Sequence, residues 1–291
     1  MYECFEKYLG IEGCNEDEPV NGMYINGSKG LAGISLISAS NIADEETKSG
    51  LSLLKGCRHN AIIDTISDAK IELSRYFEFN KILHKHYYNP TLYSRSGIFN
   101  YFIDNSSIYK YSKIEVSTIT IVSKGVETIT LTIEEDKNVR TLSVDLVVGN
   151  NVVTINSTAN FRFELSITTS VEIIYDSESF FRGTILVRCD DELFWCAYAS
   201  ELALAMRYKT GYLYYNELIS STRLNTTIDR NTALTNMQMW YGVYNQNNGR
   251  FEGGEYQKYI NSAVQTIKNS LINDNDACIV CNQIKHLYAK P

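Results

Sequence analysis

The chain has 291 residues, enough for one large domain or two ordinary ones, and either size buries an adequate core. Hydrophobic residues make up 44% and charged residues 21%, a globular balance that excludes a disordered chain, and no apolar run is long enough to span a bilayer. A net charge of −7 argues against a protein that coats nucleic acid with its whole surface, while leaving room for a local basic lining.

The opening MYECFEKYLGIEGCNEDEPV is acidic and lacks the basic-then-apolar order of a secretory leader, so export is not expected. NGMYINGSKGLAG follows, with two Asn-Gly pairs that tolerate positive φ. Residues 1–43 are therefore expected to form a turn-rich arm with one short strand at Met23–Ile25. Such an arm is a surface loop or a clasp on a neighbouring subunit.

Residues 44–95 read as a helical segment. Asp44, Glu45 and Glu46 sit where a helix N-terminus favours negative charge. Gly56 is expected to interrupt, and Ile62, Ile66, Ala69, Leu73 and Phe77 then recur at steps of three or four, giving one apolar stripe. HKHYYNPTLYSRSG breaks the pattern, with Pro90 and Gly97 as punctuation.

Residues 96–188 change to a period of two. Ile129, Leu131 and Ile133 alternate with Thr128, Thr130 and Thr132, and Leu142, Val144, Leu146 and Val148 with Thr141, Ser143 and Asp145. Phe161, Phe163, Leu165 and Ile167 do the same against Arg162, Glu164, Ser166 and Thr168. Strands of this kind bury one face and wet the other, as antiparallel sheets do. Turns at SKG, EEDKN and GNN separate them at sandwich spacing. Residues 189–291 return to helical patterns: Leu193–Tyr215, then NTALTNMQMWYGVYNQNNG as a helix stopped by Asn-Asn-Gly, then Glu255–Leu271 with Tyr259, Ala263, Ile267 and Leu271 four apart. The prediction is an α+β chain with a central antiparallel β-sandwich or small barrel, flanked by N-terminal and C-terminal helices.

Seven cysteines without a leader suggest reduced thiols in a cytoplasmic setting. The sharpest cluster is Cys278-Ile-Val-Cys281 with His286 following and Cys189 and Cys196 far upstream. A Cys-x-x-Cys pair can wrap a tetrahedral Zn²⁺. The spacing of Cys189 and Cys196 is wide for a knuckle, so buried thiols are expected ahead of a zinc site at Cys189, Cys196, Cys278 and Cys281. A thioredoxin-like role is expected less still, since no βαβ pattern surrounds the pair. His84 and His86 would share one side of a strand and could then bind metal, but a polar helix terminus is the expectation. Asp190, Asp191 and Glu192 read as the start of a helix ahead of acid–base work. No nucleophile elbow, phosphate loop, dinucleotide fingerprint or zincin helix is present, so neither catalytic residues nor a cofactor is expected. The tyrosines of YKTGYLYYNE and MWYGVYNQ are expected in the core or at subunit contacts ahead of stacking on bases or sugars.

The stretch NGMYINGSKGLAGISLISASNIADEETKSGLSLL, a helix behind it, a β-domain and a Cys-containing helical C-terminus together resemble a virion protein of crAss-like bacteriophages, with residues 24–46 carrying most of the likeness. The resemblance implies a non-enzymatic structural protein of the neck or tail, copies of which form a ring between portal and tail. It implies sister copies and other portal, neck and tail proteins as partners, DNA only as passing cargo, no membrane insertion, and a place in the virion after synthesis in the host cytoplasm. The β-segment and exposed aromatics leave a carbohydrate- or receptor-binding tail module as the alternative.

Overall fold

Period-two alternation asks for sheets with one dry face, and the computed structural model supplies them as eight long antiparallel strands. It describes residues 3–13, 18–43, 49–104, 110–221, 227–247, 250–272 and 278. In chain order these form α1 (Glu3–Glu6), α2 (Leu36–Ile42) and α3 (Gly50–Leu73), then β1 (Ile82–Tyr88), β2 (Tyr93–Asp104), β3 (Ser112–Ser123) and β4 (Glu127–Glu135). After them come β5 (Asn138–Leu146), β6 (Gly149–Ala159), β7 (Arg162–Tyr175) and β8 (Arg182–Cys189). The chain finishes with α4 (Asp191–Ala197), α5 (Ala199–Ser220), α6 (Thr227–Tyr241), a hairpin of β9 (Gly242–Asn245) and β10 (Arg250–Gly253), and α7 (Glu255–Ile272). The fold class is α+β. Two compact units result, one from residues 1–76 with 194–274 and the other from 77–193 with 275–291.

In the second unit β1 pairs with β8, β8 with β3 and β3 with β6, which makes one layer. β2 pairs with β7, β7 with β4 and β4 with β5, which makes the other. A single pair, Ser123↔Ile173, joins the layers. The orders 1-8-3-6 and 2-7-4-5 are those of an eight-stranded jelly roll, a long nested hairpin (1·8, 2·7, 3·6, 4·5) rolled up on itself. The inward positions interdigitate as one core: Ile114, Ile121, Ile155 and Val187 from the first layer, Leu131, Ile133, Phe163 and Leu165 from the second.

Two carboxylates hold the irregular points of the roll. Asp136, in the β4–β5 turn with φ 56°, accepts from the backbone N–H groups of Asn160, Phe161 and Arg162 at 3.0, 2.7 and 2.9 Å. Burial works against its charge, but the three donors together hold its pKa below the usual range. Glu127 grips the bulge of β7, accepting from the Thr169 hydroxyl (2.6 Å), the Ser170 hydroxyl and N–H (2.8 and 2.9 Å) and the Val171 N–H (3.3 Å). Those hydrogen bonds, the hydroxyls first, lower its pKa to about 2.

The helical unit packs α5 against α3, α6 and α7. Ser49 caps α3 by accepting from the Ser52 N–H, and Gly56 does not interrupt it, because the 24-residue helix buries Leu54, Ala61, Ile62, Ile66, Ala69 and Leu73 along its length. Asp44, Glu45 and Glu46 lie outside the described residues. The stripe ends at Leu73; Phe77 is buried in the jelly-roll unit, against Phe79 and Tyr111. Residues 82–95, expected in the helical segment, instead form β1 and the start of β2. Pro90 falls between these strands, where its missing N–H costs no ladder bond.

The N-terminal arm is folded into its own unit. Leu9, Ile11, Ile25, Leu31 and Ile34 are buried, and Met23–Ile25 contributes a single bridge, Gly10↔Tyr24. Asn26 accepts from the Glu12 N–H (2.7 Å) and donates to the Glu12 carbonyl (3.1 Å), while the buried Arg58 donates to the Leu9 carbonyl (3.0 Å). These apolar side chains of the arm are thus used within its own unit, while Val20 and Ile37 stand exposed. The helix predicted through MWYGVYNQNNG ends at Tyr241, where Gly242 adopts φ 101° and the chain turns into the β9–β10 hairpin.

Candidate functional site

Four of the described cysteines form disulfides, and Cys57 is a buried thiol. Cys4 bonds to Cys196 in the helical unit and Cys189 to Cys278 in the jelly-roll unit, with Cα atoms 5.6 and 5.8 Å apart. For these four the reduced-thiol expectation is corrected, and so is the zinc set: Cys189 and Cys196 have different partners in different units. Cys14, Cys281 and His286 lie outside the described residues, among which no cluster of three or more His, Cys, Asp or Glu side chains could hold a metal. Sequence spacing failed here because Cys4 and Cys196 are 192 residues apart.

His84 and His86 are on β1, not at a helix end. They share one side of the strand, ring centroids 5.8 Å apart, and His86 stacks on Tyr88. Asp190 does begin a helix: its carboxylate accepts from the Glu192 N–H at 3.0 Å, ahead of α4.

Of the tyrosines expected in the core, Tyr214 and Tyr215 are buried, Tyr208, Tyr212 and Tyr241 half-buried and Tyr244 exposed, and two of them help surround a cation. Lys209 on α5 is 6% exposed, 3.3 Å from the Asp64 carboxylate and 2.9 Å from the Tyr241 hydroxyl. The rings of Tyr241, Tyr256 and Tyr212 lie around it at 4.5, 5.2 and 5.7 Å. Burial disfavours its charge, but the Tyr241 hydroxyl with Asp64 and Asp68 more than offsets that, so its pKa is raised. Beside this cage, Asp68, Glu72, Tyr241, Phe251, Glu252 and Tyr256 line a cleft of about 600 Å³. Its polar groups are engaged within the unit: Tyr256 donates to Asp68 at 2.6 Å, Lys268 pairs with Glu72 at 3.6 Å, and Asn245 donates to Glu252 at 3.1 Å. It is a packing seam.

The outer faces of the jelly roll differ. On the β1-β8-β3-β6 layer the outward positions carry Lys85, Lys113, Arg182 and Arg188 against the carboxylate of Glu115, which Arg188 and Lys113 already hold at 2.6 and 3.3 Å. Within this face β3 bulges at Ser117–Thr118, opposite Gly183, whose absent Cβ would meet the Thr118 carbonyl oxygen at 3.1 Å. The bulge opens a groove of about 350 Å³ lined by Tyr87, Glu115, Thr118, Thr120, Arg182 and Leu186. Tyr87 there is 71% exposed, and the Nε of Arg182 is buried without an acceptor. On the β2-β7-β4-β5 layer the outward positions carry Asp104, Glu134, Asp145, Glu164 and Glu172 against Arg162 and the Lys124 that pairs with Glu172 at 3.2 Å. Rows of Thr and Ser run between them, and Ile98 and Phe102 of β2 stand 65% and 67% exposed. Sequence alternation marks the outward side chains of β4, β5 and β7, but not Lys85 or Tyr87 of β1. It does not say which strands share a layer, so the charge difference between the faces stayed hidden.

No family model matches the chain, and no curated protein matches it. Among solved structures it is similar to the Clostridium thermocellum endo-1,4-beta-D-xylanase 10B CBM22-1-GH10 modules, solved with xylohexaose, at 11% identity and TM-score 0.19, covering 40% of this chain and 29% of that one. It thus spans under a third of the xylanase fragment. It is also similar to the Escherichia coli flagellar cap protein FliD D1-D2-D3 domains, at 13% identity and TM-score 0.13, covering 81% of this chain and 99% of that one. At such TM-scores neither likeness bears on fold or function.

Proposed function

We propose that the chain is a non-enzymatic structural subunit of a tailed-phage virion, one copy of an oligomeric ring in the neck or tail that joins portal to tail around the DNA exit channel. The observation that carries this reading is the exposed apolar surface of β2. Ile98 and Phe102 point outward from a 12-residue strand that pairs, among the described strands, with β7 alone. An open strand edge with large apolar side chains beside it is a surface that a lasting neighbour covers. The jelly roll, an architecture shared by capsid and lectin domains, supplies the stiff body such a subunit needs. The disulfides suit a particle that leaves the reducing cytoplasm. No helix of the described residues is long and apolar enough to cross a membrane.

Analytical ultracentrifugation and electron microscopy test the reading. The wild-type chain is expected to form multimeric particles, alone or with portal and tail proteins of its virion, and Ile98→Asp with Phe102→Asp is expected to shift it to monomer. A chain that stays monomeric with and without those proteins overturns the proposal. A second reading, a sugar-binding tail module, is favoured by the groove on the other layer, where exposed Tyr87 offers a stacking face and Arg182 a guanidinium with a buried, unsatisfied Nε. Binding of a glycan on an array, abolished by Tyr87→Ala and Arg182→Ala, would establish it; an array without hits removes it.

A further inference from the structure

Resting on the subunit reading, we infer that successive copies of this chain pack jelly roll to jelly roll, the basic outer face of the β1-β8-β3-β6 layer of one against the acidic outer face of the β2-β7-β4-β5 layer of the next. The occupant of each face is thus a second copy. Three observations converge. A chain of net charge −7 nevertheless concentrates four cations against one carboxylate on one sheet face. The opposite face of the same sandwich carries the reverse, five carboxylates against the Arg162 guanidinium and the Lys124 ammonium that pairs with Glu172. Both faces also keep apolar side chains in solvent, Tyr87 and Val152 on the basic one, Ile98 and Phe102 on the acidic one.

Charge alone would give weak, salt-screened attraction. Apolar groups among complementary charges give area with orientation: the apolar contacts supply the driving force, and the charges choose the partner face. Like faces repel, so a two-fold pairing of basic on basic or acidic on acidic is disfavoured. Opposite faces of one unit attract, which makes the contact heterologous, the kind that repeats head to tail and generates a ring when its rotation closes. The two faces are the outer sides of two layers packed back to back, so each copy offers both without internal rearrangement.

Charge reversal tests this with its own rescue. One variant carries Lys85→Glu and Arg182→Glu, leaving both faces acidic; another carries Glu134→Lys and Asp145→Lys, leaving both basic. Sedimentation is compared at low and high salt, with circular dichroism to establish that each variant is folded. Each variant alone is expected to lose self-association at least about tenfold relative to wild type. An equimolar mixture is expected to recover it, since every contact in an alternating assembly is again acidic on basic. If the wild type assembles and either variant assembles as well as it does, or if two folded variants fail to rescue each other, the contact is wrong while the subunit reading stands. If the wild type does not assemble even with its virion neighbours, both fall.

Discussion

The jelly roll and the helical unit solve the same packing problem by different means. The roll is made almost wholly from consecutive residues, 77–193, and its core is aliphatic and aromatic, drawn from alternate positions of each strand. The helical unit is assembled from two stretches more than a hundred residues apart and is held by specific polar contacts between them. Tyr214 donates to Ser38 Oγ at 2.8 Å, Tyr215 to the Ala32 carbonyl at 3.0 Å, Tyr256 to Asp68, and Lys209 reaches Asp64. Alternation says which side chains go inward, and many partners satisfy it. Buried hydroxyls and a buried ammonium accept few partners, so they specify which segment meets which. In this chain apolar burial builds the stiff part, and polar pairing joins its remote ends.

Experiments can part the two because both tryptophans, Trp195 and Trp240, belong to the helical unit, so tryptophan fluorescence follows that unit alone while the β-sheet amide I infrared band follows the roll. The largest effect is expected from Phe163→Ala, which empties a fully buried ring site in the roll and should cost about 3–5 kcal/mol in the sheet signal. An equal shift in fluorescence would show that the units unfold as one. Next come the disulfides, each worth about 2–4 kcal/mol. Cys4→Ser with Cys196→Ser should lower the fluorescence transition, and Cys189→Ser with Cys278→Ser the sheet transition, with intact mass before and after reduction confirming both bonds. Lys209→Met should cost about 1–2 kcal/mol in fluorescence only, the loss of a charged hydrogen bond to Tyr241 softened because Asp64 is half exposed and stays hydrated.

The smallest effect is one of pH: the acid-side loss lies in the roll, and the alkaline-side one is weighted to the helical unit, with Tyr101 the buried tyrosine of the roll whose pKa is likewise raised. Glu127 has a folded pKa of about 2, below its ordinary 4.5, so its contribution to the roll is present above 4.5 and lost as pH falls toward 2. Glu127→Gln should flatten that acid limb of the sheet transition. In the helical unit Lys209, the half-buried Tyr212 and the buried Tyr214, Tyr215 and Tyr256 have raised pKa values. The desolvation of the tyrosines favours their neutral form, and Lys209 is held protonated by its partners. Their contribution is present below the ordinary values near 10 and lost as pH rises past them. Fluorescence melts between neutral and alkaline pH should show that loss ahead of the sheet signal; a roll that gives way first would contradict the contrast.

Much of this was legible. The outward threonines of β4, the inward Ile129, Leu131 and Ile133, the helix of α7 and the core tyrosines all follow from local period. β1 was not, because HKHYYNPTLYSRSG is a polar edge with a bulge near His84 and shows no clean alternation. The candidate metal set failed for a different reason: thiol pairing depends on which remote segments meet, and Cys-x-x-Cys spacing is silent on that.

By itself the sequence determined the α+β class, the inward and outward side chains of the recognised strands save Val148 and Phe161, which fall in turns and are exposed, and the helix start at Asp190, because each depends on neighbours within a turn or a pleat. Only the tertiary structure decided the 1-8-3-6 and 2-7-4-5 pairing, the disulfide partners, the cage around Lys209 and the opposite charges of the two sheet faces. Those depend on closing loops of tens to hundreds of residues, and a period of two reads the same whichever distant strand lies alongside.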